Sequence, residues 1–418
     1  MFNCVACYKN VDKCNIIFTL RCFTLIFCGF LINFALFNVL PNLKNECYVV
    51  SAEQSVTEED LEESVDDVLN DIDFEELENL LNEVEDDFNL FNGYSFKEYV
   101  SLIIKGEETV DFGSIFNILL GSIKSNLKNL LAPLFSVLVV VLLCNIFNNV
   151  RSNKISEMSE IIYFITFSII IIIIAYLTSG VIAKSKSSIS SIQKQMNVIF
   201  PILLTLISSM GGIATVKAYT PMLAFLSNII SNIFTFVLLP LFSLSIILSI
   251  VGNLSENTKL SKFNGFINSL YKWIMGVVFT LFISFLSLKG ITAGSSDGIS
   301  IKATKYAIKN YIPILGGYVS EGFELIKAGS MLVKNALGFT SVILLFAGIL
   351  TPIINVGVLQ LGLKLLAGLV EPVGDKRSSN LIYSISNSLK MLVALLVGVA
   401  LMYFITIFLM TCSASNFV

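Results

Sequence analysis

The chain has no histidine, one tryptophan and eight prolines among 418 residues, and only 14% of its residues are charged. Without histidine it lacks the commonest general base, the commonest zinc ligand and the usual switch near neutral pH. Cysteine does not fill the gap. Five of the eight cysteines (Cys4, Cys7, Cys14, Cys22 and Cys28) crowd the first 28 residues. "CVAC" (Cys4 to Cys7) has redox or metal spacing, but no second pair with ligand spacing follows it. There is no Walker loop and no clustered carboxylate pair at a bilayer edge. No metal, cofactor or catalytic residue is therefore assigned, and an enzyme is not expected.

What is present is apolar. Hydrophobic residues make up 55% of the chain and the mean hydropathy is +0.81, against about 25% charged residues in an ordinary soluble domain. An all-α, polytopic helical membrane protein is expected. The net charge of −4 conceals a division. Between Glu53 and Asp111 there are 21 acids and two lysines, Lys97 and Lys105, leaving ten acids and 25 bases elsewhere. That balance argues against nucleic acid, whose phosphates need cations to neutralise them.

Three regions are expected. Residues 1–52 read as a signal sequence or N-terminal anchor: an apolar run over 16–40 follows Lys9 and Lys13, and "VSA" (Val50–Ala52) fits a small-residue cleavage site. The basic start stays in the cytoplasm, so residues 53–112 form an acidic extracytoplasmic segment. Its helical pattern is clear: Leu61, Val65, Val68, Leu69 and Ile72, then Leu77, Leu80, Leu81, Val84 and Phe88. Asp73 with Glu76, and Ser95 with Glu98, have capping-box spacing, and Gly106 suits a helix end. The apolar stripe either finds a neighbouring helix or the membrane face, or the segment is a solvated acidic spacer.

Residues 113–418 are the membrane domain. Residues 112–128, with Lys124 and Lys128, have the pattern of an interfacial amphipathic helix. About seven spans follow, at 129–147, 161–183, 198–216, 222–251, 273–289, 337–361 and 391–411, each near the roughly 20 residues a bilayer requires. Pro201 and the Gly211-Gly212 pair mark a bend or re-entrant turn in the third, and Pro240 a kink in the fourth. Apart from Lys289 at the end of the fifth, no span so drawn contains a charge. Cys144 and Cys412 read as packing residues. Loop lysines and arginines are evenly divided, so the positive-inside rule gives no orientation beyond the first span.

The stretch 289–322, "KGITAGSSDGISIKATKYAIKNYIPILGGYVSEG", stands apart. Gly290, Gly294 and Gly298 recur every fourth residue, a spacing that lets membrane helices approach closely or marks a flexible span end. Lys302, Lys305 and Lys309 flank the apolar stripe of Ile301, Thr304, Ile308 and Tyr311. This suits an interfacial or pore-lining helix, whose ammonium groups meet anionic lipid or a polar lumen. Pro313 and Gly316-Gly317 supply two further bends.

This stretch, with "GSMLVKNALG" (Gly329–Gly338), "EPVGD" (Glu371–Asp375) and "TVKAYTPMLAFL" (Thr215–Leu226), resembles the stage III sporulation protein AE family of endospore formers, over roughly residues 110–415. The resemblance implies a non-enzymatic, multi-pass subunit in the mother-cell membrane surrounding the forespore. It would belong to a secretion-like channel complex linking mother cell and forespore. The implied partners are other membrane and ring-forming proteins of the same sporulation operon, including an ATPase, and a homo-oligomer is compatible. A stand-alone small-solute permease with broken helices is the alternative.

Overall fold

A computed structural model describes residues 58–88, 93–106, 112–150, 156–254, 260–311, 316–372 and 376–413. The leader, its cysteines and Pro313 lie outside the described residues. The acidic helices and the membrane helices share one compact unit, Glu59–Val418.

Three short helices come first: α1 (Glu58–Asn70), α2 (Glu75–Phe88) and α3 (Phe96–Lys105). Their expected stripe is buried, with Val65, Leu69, Leu77, Leu81, Phe96 and Val100 in the common core. The caps of α3 follow the sequence. Ser95 Oγ accepts from the Glu98 amide at 3.2 Å while Glu98 Oε2 accepts from the Ser95 amide at 2.9 Å. Gly106 ends α3 at φ 71°, in the left-handed region that glycine tolerates. At α2 the cap differs from the expected Asp73–Glu76 box: Asp73 accepts from the Glu75 amide at 3.0 Å. The segment is thus a docked module rather than a solvated spacer.

The membrane helices are longer than expected. α4 (Phe112–Val150) fuses the amphipathic stretch 112–128 with the span after it. α5 (Ser156–Ser209) joins the two stretches 161–183 and 198–216 into one 54-residue helix that runs unbroken through Pro201. The polar residues between them, 184–197, include no glycine or proline to stop a helix. The chain turns at Gly211, φ 85°, and continues as α6 (Ile213–Ala224). Two π-helical turns follow, Phe225–Ile230 and Phe234–Leu238, before α7 (Leu239–Leu254). The irregularity of this overlong stretch therefore lies in the π turns upstream of Pro240. α8 (Ser261–Tyr311), α9 (Gly316–Val370) and α10 (Lys376–Cys412) complete the order.

Six of these helical runs are long and apolar enough to cross a membrane: 123–144, 164–209, 228–254, 262–284, 320–370 and 376–412. This is an all-α, multi-pass membrane protein. At about 1.5 Å per residue, α5, α8 and α9 are each about 75–80 Å long, more than twice a hydrocarbon core of about 30 Å.

Candidate membrane assembly site

α9 and α10 form an antiparallel hairpin pinned along its length. Ser379 Oγ donates to the Ala367 carbonyl at 3.0 Å, and Ser386 Oγ to the Gln360 carbonyl at 2.8 Å. At the far end the Lys334 ammonium, fully buried, donates to the Thr411 carbonyl at 2.7 Å. That carbonyl belongs to the last turn of α10, whose carbonyls lack an intrahelical amide donor and where the helix dipole favours a cation. One turn along α9, a side chain at Gly338 would run into Thr411. The backbones therefore approach closely where lysine and glycine alternate on one face.

A second polar contact joins three helices. Ser245 Oγ of α7 lies 2.9 Å from Asn264 Oδ1 and 3.0 Å from Asn268 Oδ1 of α8, and 3.3 Å from Ser388 Oγ of α10. Asn264 donates to Ser249 Oγ at 2.9 Å, and Ser384 Oγ to the same atom at 3.1 Å. Each helix contributes two small or amide residues four apart, the spacing that places them on one face. The Tyr271 hydroxyl extends the seam by donating to the Met391 carbonyl at 2.7 Å.

The glycine-rich stretch carries a clamp. Asp297, buried on α8, accepts from the Ala214 amide at 2.7 Å and the Thr215 amide at 2.8 Å. These are free donors of the first turn of α6, so a carboxylate from a distant helix supplies its N-terminal cap. Asp297 thus fixes the Gly211-Gly212 turn against α8. Gly290, Gly294, Gly298, Lys302, Lys305 and Lys309 lie along the same helix, and Gly316 and Gly317 open α9. The side-chain surroundings of all eight fall outside the described residues.

The acidic module seats on the beginning of α9. Ser64 Oγ donates to the Leu325 carbonyl at 3.2 Å, and a side chain at Gly329 would meet Ser64. α2 and α3 pack on α9 as well. Between α1, the end of α5 and α9 lies a cavity of about 450 Å³, lined by Asp60, Glu63, Asp67, Asp71 and Ser330 among others. Among the described residues, no three His, Cys, Asp or Glu side chains are grouped to hold a metal ion.

A family model for Stage III sporulation protein AE (spore_III_AE) matches residues 94–414, most of the chain. The chain belongs to the stage III sporulation protein AE family. It is similar to Stage III sporulation protein AE of Bacillus subtilis (strain 168), 26% identical over 294 residues, covering 70% of this chain and 73% of that protein. No solved structure matches. The family places the protein in sporulation, and the apolar helices place it in a membrane. Within the matched region, the family stretches Thr215–Leu226 and 288–322 meet at Asp297, and "GSMLVKNALG" holds both Gly329 and Lys334.

Sequence reasoning missed Asp297, Lys334 and the Ser/Asn seam. Asp297 is one of two carboxylates, with Glu321, in a lysine-bearing stretch. Lys334 lies just before a span drawn from 337. Ser245/Ser249 and Ser384/Ser388 show the four-residue spacing of small residues that was noticed only for glycine. Of the two cysteines read as packing residues, Cys144 is buried and Cys412 is exposed, at the last turn of α10 where the bundle ends.

Proposed function

We propose that the chain is a non-enzymatic subunit of a channel complex linking mother cell and forespore. It sits in the mother-cell membrane around the forespore and is needed for forespore development after engulfment. The observation that carries this reading is the seating of the acidic helices on α9, one of three described helices far longer than a bilayer is thick. A rigid platform projecting from a membrane bundle suits assembly with other proteins. The platform is extracytoplasmic, consistent with the basic, apolar start of the chain. Its partners are membrane and ring-forming proteins of the same operon and their ATPase, with anionic lipid around the bundle and further copies of the chain beside it.

Co-purification in mild detergent from sporulating cells tests the reading. The operon's proteins are expected to come out with the chain. A lone chain or simple homo-oligomer would favour a stand-alone permease, whose polar lining the unpartnered buried atoms of Gln195, Thr351 and Asn355 could supply. The sidedness has its own check. Ser95→Cys, in a chain stripped of native cysteines, should react with a membrane-impermeant thiol reagent in intact protoplasts. Reaction only after lysis would reverse the orientation.

A further inference from the structure

The exposed side of α5 changes character along its length. Near its start it is apolar, with Ile165, Ile169, Ile172 and Tyr176 exposed. Farther on, Lys184, Lys186, Ser187, Ser190, Lys194 and Asn197 reach the surface, while Ser185, Ile189, Ile192 and Met196 are buried against the bundle.

The level of this cationic face follows from the packing. Gln195 is fully buried beside Gly348 of α9, where an added Cβ would lie 3.4 Å from its Nε2. From the Ser386–Gln360 pair, the same distance along each antiparallel helix brings Gly348 level with Gly398 of α10. A Cβ at Gly398 would meet Met275 and Phe279 of α8 at 2.9 and 3.1 Å. At one level of the bundle, then, α8 presents exposed Val277 and Leu281 on one side while α5 presents Lys194 on another. Both α8 and α10 are candidate spans there. Hydrocarbon suits Leu281 and does not suit Lys194, since charged side chains at membrane depth face a water-filled cavity or a partner. Beside Lys194, the Gln195 amide has neither its donor nor its acceptor matched by protein, a second sign of a polar environment at this depth.

We propose that the Lys184/Lys186/Lys194 face of α5 lines a water-filled space within the membrane that admits anionic solutes. Cationic rings and walls select anions because the fixed charge concentrates them where dielectric screening is weak. The inference rests on the conduit reading. Co-purification tests that reading, whereas the following experiment tests only where water and anions reach α5, so the two fail separately.

Single cysteines at Ser190, Lys194, Ile172 and Leu281, in the full chain stripped of native cysteines, are reacted in membrane vesicles from sporulating cells. The reagents are the anionic sulfonatoethyl and cationic trimethylammonioethyl methanethiosulfonates. Ser190→Cys and Lys194→Cys should react while Ile172→Cys and Leu281→Cys stay protected by lipid. At Ser190→Cys the anionic reagent should be favoured about tenfold over its preference for a free thiol, an effect of the size fixed charges produce. Changing Lys186 and Lys194 to Gln should abolish the preference. Equal reaction at Leu281→Cys would put this level outside the bilayer or among headgroups and overturn the proposal. Protection at every α5 position would mean a dry interface, and an unchanged preference in the Gln variant would mean no anion field. Either also overturns it.

Discussion

α4 and α10 are almost equally apolar and do opposite things. Both are long and apolar enough to cross a membrane, yet 17% of the most apolar stretch of the first is buried in the bundle against 56% of that of the second. α4 shows Leu131, Phe135, Leu143 and Ile146 to the outside. α10 turns Ser379, Ser386, Ser388, Gly398 and Thr406 inward, among neighbours that approach closely. Hydropathy reports that a segment belongs in a membrane. It does not report which face meets protein, because lipid tails are as apolar as leucine. Small and hydroxyl residues at helical spacing carry that information.

The comparison breaks most easily at Lys334. Lys334→Glu sets a buried carboxylate against the Thr411 carbonyl, an uncompensated contact that should cost about 3–5 kcal/mol. The protein should fail to accumulate, or unfold many degrees lower in detergent by thermal scan. An unaltered melting profile would mean the α9–α10 end is not closed as described. A gentler cut uses glycine. Gly338→Ala drives a methyl into Thr411 and should cost about 1–3 kcal/mol. Gly121→Ala on α4, with open space around it, should instead gain up to about 1 kcal/mol from helix propensity. Thermal scans giving the two substitutions the same sign would erase the distinction between the helices.

The smallest effect lies outside both. Hydrogen bonds from the Ser95 backbone and side chain hold the Glu98 carboxyl below its ordinary value. A carboxylate whose folded-state pKa is depressed contributes stability that is present above the unfolded value and lost as pH falls through the folded one. Amide protection at the start of α3, measured relative to the intrinsic exchange rate at each pH, should therefore fall in mild acid while the α9–α10 amides keep theirs. Simultaneous loosening would show that the caps and the hairpin are one cooperative unit.

Much of this was legible in the sequence. The caps at Ser95 and Gly106 depend on local spacing, and the structure keeps them. Helical membrane character follows from composition. Helix ends within the membrane were harder to place. Residues 184–197 looked like a loop because polar residues usually end a span, yet nothing in them stops a helix, and α5 continues. The span 337–361 excluded Lys334 because a lysine at the edge of an apolar run usually snorkels. Its long stem instead turns inward to the end of α10, a partner 77 positions away along the chain. Asp297 reaches α6 from 82 positions away in the same manner. Such contacts leave no mark in local periodicity.

The most direct test of the contrast between α4 and α10 is labelling from the lipid itself. A carbene precursor confined to the hydrocarbon of native membranes, activated by light and mapped by mass spectrometry, should modify α4 at Leu131, Phe135 and Leu143. It should spare the α10 residues from Ser386 to Met402. Modification of that part of α10 as heavy as that of α4 would contradict the account, because α10 would then meet lipid rather than protein.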